Sequence, residues 1–260
     1  VHLPATALVT GAASGLGRAI VERLAAAGWQ IAAVDLEPAL ARQPLPVGTL
    51  SIAGDVREAT LWRSVHDRLR ADWPALGLLV NAAGVGATGE VGRLPEEQWR
   101  RVLDTNLLGT ALGCETFLPW LRAGGRSHLV NVASIAGALA PPSMAAYSAS
   151  KAGVVALSEA IAAECDRGRP GVTVVCPGFF RSGLLGSWHF SSDLERREAE
   201  RRMTAARWTS DRVAERVLRA VHRDRRYVVL GRRARWAWRF KRLAPRATTA
   251  LIQRIYRRLK

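Results

Sequence analysis

The feature that most constrains this chain is an apolar run that ends in a glycine turn. Ala5–Val9 leads into Thr10-Gly11-Ala12-Ala13-Ser14-Gly15-Leu16-Gly17, and an amphipathic stretch, Leu16–Gly28, follows at once. Glycines there let the backbone turn sharply and let a pyrophosphate come close. The start of the next helix offers unpaired N–H groups and a positive dipole end to the same phosphates. A glycine triplet alone serves equally well as a plain turn. Here the spacing is G-x-x-x-G-x-G, not the commoner G-x-G-x-x-G, and the strand–turn–helix setting makes a dinucleotide site the better reading.

The rest of the chain keeps the same alternation. Strands are expected at Ala5–Thr10, Gln30–Asp35, Thr49–Ala53, Leu76–Asn81, Ser127–Ala133, Val172–Cys176 and Arg226–Leu230. Helices are expected at Leu16–Gly28, Glu58–Asp72, from Pro95 through about Leu121, at Ala145–Asp166 and at Thr209–Val221. This βαβα order predicts a single α/β, Rossmann-like, doubly wound domain of about seven parallel strands with helices on both faces. Fully apolar stretches such as Leu78-Leu79-Val80 suit strands buried on both sides. The body is taken as residues 1–230, with a substrate lid at about 179–208 and a basic extension at 231–260.

Composition excludes several alternatives. Of 260 residues, 48% are hydrophobic and 23% charged, a globular balance that excludes disorder as the overall state. No apolar run approaches the roughly 18–20 residues of a spanning helix. No basic leader with a cleavage site is visible at the start, and three scattered cysteines (Cys114, Cys165, Cys176) form no metal or disulfide pattern, so a cytoplasmic protein with reduced thiols is expected. The net charge of +16 is concentrated at one end. From Gly231 to Lys260 there are nine Arg, two Lys and no acid, which accounts for +11.

Asp35 ends the second strand, 18 residues after Gly17. A carboxylate there can take the adenosine ribose hydroxyls and repels a 2′-phosphate, and no cation adjoins it, so NAD is expected over NADP. Further along, Tyr147-Ser148-Ala149-Ser150-Lys151 places a phenol and an amine at i and i+4, on one helix face. Tyrosine titrates near ~10, and a neighbouring ammonium favours the phenolate. Only three lysines occur in the chain (151, 241 and 260), so a lysine at this position stands out. An isolated Tyr–Lys pair would more often be a solvated surface pair. Here Ser134 lies 13 residues upstream at a strand end, where its hydroxyl could hold a substrate oxygen beside the tyrosine. Asn81-Ala82-Ala83-Gly84 ends another strand, and Asn106 lies in the helix before the Ser134 strand.

From Ala5 to about Leu230 the chain resembles a short-chain dehydrogenase/reductase of the classical group. The motifs occur in order: TGAASGLG at 10–17, Asp55-Val56, NAAG at 81–84, Asn106, Ser134, YSASK at 147–151 and Pro177-Gly178. The resemblance implies that Tyr147 is the acid/base, that Ser134 polarises the carbonyl, and that Lys151 lowers the tyrosine pKa and binds the nicotinamide ribose. It implies a water-linked proton relay from Asn106 to Lys151. Cofactor contacts would come from Gly11, Ser14, Gly15, Leu16, Gly17, Asp35, Asp55 and Val56 (Asp55 at the adenine), from Asn81, Ala82 and Gly84, and from Pro177 and Gly178. Four residues past Gly178 the family often carries threonine at the carboxamide; Ser182 stands there and keeps a hydroxyl. The implied reaction is NAD-dependent interconversion of a secondary alcohol and a ketone. An NADP-dependent ketoreductase, or a non-catalytic cofactor-binding protein that senses redox state or docks to membranes, are the competing readings. Homodimers or homotetramers through helices near Asn106–Leu121 and Ala152–Asp166 are the family's usual assembly.

Phe179, Phe180, Leu184, Leu185, Trp188, Phe190 and Trp208, with Leu139, Ala140, Pro141 and Met144, suggest an apolar pocket and a lipophilic alcohol or ketone as substrate. His189 reads as a surface histidine. In the extension, Trp236, Phe240 and Leu243 follow helical spacing. Pro245 should interrupt the helix, and Leu251, Ile255 and Leu259 continue the stripe. Such a stripe flanked by Arg suits packing on the body or on a sister subunit, or an anionic membrane surface. Nucleic acid is the weakest partner, because basic charge alone gives only non-specific affinity.

Overall fold

In the computed structural model, which describes residues 3–165 and 169–257, the glycine turn closes the first of seven parallel strands. The elements run β1 (Thr6–Thr10), α1 (Gly15–Ala26), β2 (Gln30–Asp35), α2 (Glu37–Arg42), β3 (Leu50–Ala53), α3 (Ala59–Asp72), β4 (Leu78–Asn81), β5 (Gly86–Ala87) and α4 (Glu96–Leu103). A π turn at Asp104–Leu108 leads into α5 (Gly109–Ala123), β6 (His128–Val132), α6 (Ile135–Leu139), α7 (Ala145–Glu164) and β7 (Gly171–Cys176). A 3-10 turn at Gly183–Ser187, β8 (Trp188–His189), α8 (Asp193–Thr204), α9 (Ser210–His222), β9 (Tyr227–Val229), α10 (Arg232–Leu243) and α11 (Pro245–Arg257) complete the chain. The expected end of α7 at Asp166 and the tail residue Leu259 lie outside the described residues.

The main sheet has the order β3-β2-β1-β4-β6-β7-β9, and the register pairs Val9 with Val80 and Asn81 with Asn131. Strands β1 and β4 are the switch point: the chain winds one way through β2 and β3, then returns past β1 to build the other half. Loops leaving the two strands diverge there, which opens a crevice at the carboxyl edge of the sheet. Because every strand is parallel, each loop that follows a strand arrives at that same edge. The motifs at 10–17, 55–56, 81–84, 134 and 177–178 are thereby gathered along one edge, and Asn106 and Tyr147–Lys151 are brought to it by the π turn and by α7.

Both faces of the sheet are covered. On one, α1 packs over β1 and β2 and against α9, which covers β7 and β9, with Leu16, Ile20 and Leu24 repeating at four-residue intervals along the buried side of α1. Each of these side chains contributes roughly 1.5–3 kcal/mol by leaving water. Trp62, Leu69, Phe117 and Leu121 fill the other face between α3, α5 and the sheet. The helix α1 stops at Ala27, and Gly28 takes the left-handed φ of +77° that ends it. Phe180 and Trp208, expected in a substrate pocket, instead pack against the core that α1 and α9 share, so their burial is structural.

Candidate active site

The phosphate turn is held by backbone approach too close for side chains. A Cβ on Gly17 would lie 2.1 Å from the Gly11 carbonyl oxygen, and one on Gly11 (φ +64°) would meet the backbone of Ala83 at 2.8 Å. The Thr10 hydroxyl accepts from the N–H groups of Ala82 and Ala83, both at 3.1 Å, and so ties the end of β1 to the end of β4. Ser14 is extended, and α1 starts at once at Gly15, so the helix N-terminus faces the crevice.

At the end of β2 the Asp35 carboxylate accepts from Ala13 N–H and Leu36 N–H, each at 2.8 Å. It is thus fixed against the glycine turn. Arg18, the first cation after the turn, is engaged by Glu22 and by the Gln43 and Pro44 carbonyls. Asp55, at the end of β3, is clasped by the guanidinium and the N–H of Arg57, which hold its carboxyl below the usual range; the side chain assigned to adenine is therefore already paired. Val56 is buried, and its carbonyl accepts from the Trp62 indole.

Asn81 departs from the sequence expectation. Its side chain turns into the layer between sheet and α5 and donates to Asn131 Oδ1 at 2.9 Å. Asn131 in turn donates to the Ser158 hydroxyl at 3.0 Å. The amide of Asn81 braces the sheet, and only its backbone and the following Ala82–Gly84 reach the crevice edge. Ser182 lies beside the glycine turn. Its hydroxyl is buried with no hydrogen-bond partner, and its Cβ would stand 3.4 Å from one added at Gly15. An unsatisfied buried hydroxyl carries a desolvation penalty of about 1–3 kcal/mol unless something bonds it. Beside a helix N-terminus and a glycine turn, it fits the polar groups of a dinucleotide. Pro177 and Gly178 bring the chain over the same edge, with the Ile135 N–H donating to the Pro177 carbonyl.

The four residues expected to be catalytic converge. Ser134 caps α6, accepting from the Ala136 N–H at 3.1 Å and donating to the Pro177 carbonyl at 3.5 Å, and its hydroxyl lies near enough to Tyr147 to favour the phenolate. Lys151 is buried and donates to the Val132 carbonyl at 2.8 Å; its Nζ lies 5.9 Å from the centroid of the Tyr147 ring. Asn106 sits in the π turn between α4 and α5, a distortion that often marks functional sites. It grips Val85 through both N–H and carbonyl and donates to the Ser150 hydroxyl at 3.0 Å. Gly84 faces both groups, because a Cβ there would be 3.2 Å from Asn106 Oδ1 and 3.4 Å from Lys151 Nζ.

The electrostatics correct one expectation. The i, i+4 spacing predicts a phenol made acidic by the amine. In the protein, burial pushes the Tyr147 phenol up to about 12, with the Ser134 bond acting the other way. Burial also pushes the Lys151 ammonium down to about 8. Both charged forms lose solvation in a site closed to water, and the ammonium is bonded to a carbonyl rather than to the phenol oxygen.

Further residues surround this region. Trp188 covers Tyr147, with ring centroids 4.9 Å apart, and Met144 packs in the same cluster. On the outer side, the Tyr256 hydroxyl of α11 lies 2.5 Å from Glu90 Oε1 and 3.2 Å from Ser143 Oγ. The backbone of the loop carrying Ser143 pairs with that carrying Glu90, through Gly89 N–H and the Ser143 carbonyl. His189 contributes its carbonyl to Thr88 N–H.

The family model described as short chain dehydrogenase matches residues 5–190. This chain belongs to the short-chain dehydrogenase family. A probable oxidoreductase, EphD, of Mycobacterium tuberculosis is 31% identical over 234 residues, which are 84% of this chain and 39% of that protein. The chain thus spans about two fifths of the length of that curated relative. The D-threitol dehydrogenase of Mycolicibacterium smegmatis is 39% identical over 61% of this chain and 63% of its own. A short-chain dehydrogenase/reductase from Burkholderia phymatum, solved in complex with NAD, superposes with a TM-score of 0.84 at 28% identity, covering 91% of this chain and 92% of that one. A short-chain dehydrogenase from Streptomyces avermitilis gives 0.83 at 26% identity over 98% of both chains. The family and its α/β fold follow from these matches together with the motifs.

Proposed function

We propose that this short-chain dehydrogenase interconverts a secondary alcohol and a ketone, uses NAD, and acts on a lipophilic substrate. The observation that carries the reading is the convergence of the Ser134 and Tyr147 hydroxyls with Lys151 and Asn106 at one end of the crevice. The cofactor would lie along the carboxyl edge, its phosphates at Gly11–Gly17, its adenosine by Asp35 and its nicotinamide end toward Ser182. When bound, it supplies the acceptor or donor of hydride. The rest of the chemistry falls to the chain. Ser134 holds the substrate oxygen, and Tyr147 gives or takes that oxygen's proton. Lys151, beside Gly84, passes the proton onward, and Asn106 supports the water that would link it to solvent. Because burial keeps Tyr147 protonated, the site stands ready as an acid, so ketone reduction should run at neutral pH. Alcohol oxidation should rise from neutral toward alkaline pH.

The fixed Asp35 carboxylate and the prior engagement of Arg18 favour NAD over NADP. Trp188, Met144, Val85 and Leu94 around Tyr147 favour an apolar substrate. A homodimer or homotetramer would pair copies through α5 and α7, near which Leu108 is left exposed. Fluorescence titration with NADH and NADPH tests the cofactor, and a panel of lipophilic secondary alcohols followed by NADH absorbance tests the substrate. Tyr147→Phe should lower turnover by about a hundredfold or more, the usual span of a lost acid/base, while NADH still binds. Turnover near the parent's would remove the catalytic assignment and leave the family standing.

A further inference from the structure

The basic extension folds back on the body as two helices broken at Ala244, just before Pro245. Its inner side is anchored. Trp238 packs on Tyr227, Arg242 pairs with Glu159 at 2.8 Å and lies over the Trp238 ring, Thr248 is buried, and Tyr256 reaches Ser143. Its outer side, among the described residues, is left in solvent, with only Arg239 of the same helix lying over the Trp236 ring at 5.9 Å. Trp236, Phe240 and Leu243, at i, i+4 and i+7 of α10, are 67, 47 and 85% exposed. On α11, Leu251 and Ile255 are each 52% exposed. A folded chain gains nothing by holding five large apolar side chains in water, and patches of this kind mark contact sites.

We infer that the outer face of α10 and α11 is a docking surface for an anionic phospholipid bilayer, on which the protein lies without crossing it. Charge selects this occupant. The segment from 231 to 260 carries eleven Arg and Lys and no acid, so acidic headgroups complement it. A second copy of the chain docked on the same face by two-fold symmetry would set this charge against itself. A nucleic acid would satisfy the arginines but would leave Leu243, Leu251 and Ile255 with no apolar medium to enter. A bilayer interface satisfies both, with aromatic and aliphatic groups in the acyl boundary and guanidinium groups among the headgroups. No helix among the described residues is long and apolar enough to span, which agrees with a surface position.

The test is co-sedimentation of the full chain with vesicles of pure phosphatidylcholine and with vesicles that also contain phosphatidylserine. The protein should pellet with the second and not the first, and less so as salt is raised. Trp236→Ala/Phe240→Ala/Leu243→Ala should weaken partition by at least about tenfold, since it removes the buried apolar area. Arg235→Gln/Arg239→Gln should weaken it by about fivefold per residue. All these positions are exposed, so unchanged melting curves are expected and separate a lost surface from a lost fold. The inference fails if the parent stays in the supernatant, if phosphatidylserine makes no difference, or if the triple variant pellets like the parent. It also fails if the triple variant dissociates a dimer without altering vesicle binding, or if the parent prefers a DNA duplex to the anionic vesicles.

Discussion

Consider replacing Lys151 by methionine. The side chain is buried, and burial lowers its ammonium from 10.5 to about 8. At about 1.4 kcal/mol for each tenfold change in proton affinity, holding that charge inside the folded protein at pH 7 costs about 3 kcal/mol. Methionine fills nearly the same volume without charge. It gives up the bond to the Val132 carbonyl, worth about 1 kcal/mol. The variant should therefore be more stable than the parent by about 2 kcal/mol at pH 7, while turnover falls by at least about a hundredfold. The pH dependence fixes the sign. The folded state releases the lysine proton near 8 and the unfolded state near 10.5, so between those values the unfolded chain holds more protons and the parent gains stability as pH rises. The advantage of the variant should accordingly shrink above pH 8 and vanish near about pH 9.5. Guanidinium unfolding of both proteins at pH 7, 8.5 and 9.5 measures this. A methionine variant less stable than the parent at pH 7, or a gap that ignores pH, would refute the view that Lys151 is a charge held at a cost for catalysis.

Two further outcomes are expected. Gly17→Ala places a methyl group against the Gly11 carbonyl and should lower stability by about 1–3 kcal/mol and abolish NADH binding by fluorescence titration, whereas Gly48→Ala, in open space at φ +83°, should cost about 1 kcal/mol and leave binding intact. His128, at the start of β6, is buried against the Thr173 hydroxyl at 2.8 Å, and burial lowers it from 6.5 to about 4; its contribution is complete above pH 6.5 and about 3 kcal/mol should be lost as pH falls to 4, a slope in thermal melts that His128→Gln should flatten.

Local physics made most of the frame legible in the sequence. Seven apolar runs of strand length, most of them followed by turn residues and a helical pattern, became the seven strands because burial on both faces requires that composition and parallel crossovers require that spacing, whereas the short α2 after the second strand was not legible. Tertiary placement was legible only in part. Nothing local to Tyr256 announces that its hydroxyl will meet Glu90, 166 residues earlier, since that pairing depends on how α10 and α11 fold back over the body. Trp208 and Phe180 carry the same apolar signal as Trp188, yet two pack on α1 and α9 and the third covers Tyr147. Hydrophobicity says that a side chain leaves water and does not say against what. Asn81 makes the same point for polar groups: its position at a strand end is visible in the sequence, but the direction of its amide is set by Asn131 across the β4–β6 register.

Tyr147 and Lys151 show how burial can act on a pKa against the direction that spacing alone suggests. Tyr147 and Lys151 are neighbours on a helix face, and in water an ammonium at that range would draw the phenol downward. The same helix, α7, buries Tyr147 under Trp188 and Lys151 against the end of β6, and loss of solvation is the largest influence on both. The two shifts move toward each other. A phenol raised to about 12 and an amine lowered to about 8 both favour the neutral forms, so the free site resists separating charge between them. On the proposed reading, chemistry needs a further positive charge near Tyr147 to make its phenolate accessible, and the oxidised nicotinamide carries one. Oxidation would then be conditional on the cofactor, with Tyr147 remaining a weak acid until the dinucleotide is in place. The measurable consequence is a phenol titration, followed by ultraviolet difference absorbance against Tyr147→Phe, that moves downward when NAD is added and stays put when NADH is added. Equal positions with both cofactors would mean that the lysine alone sets the acidity and that burial has been given too much weight.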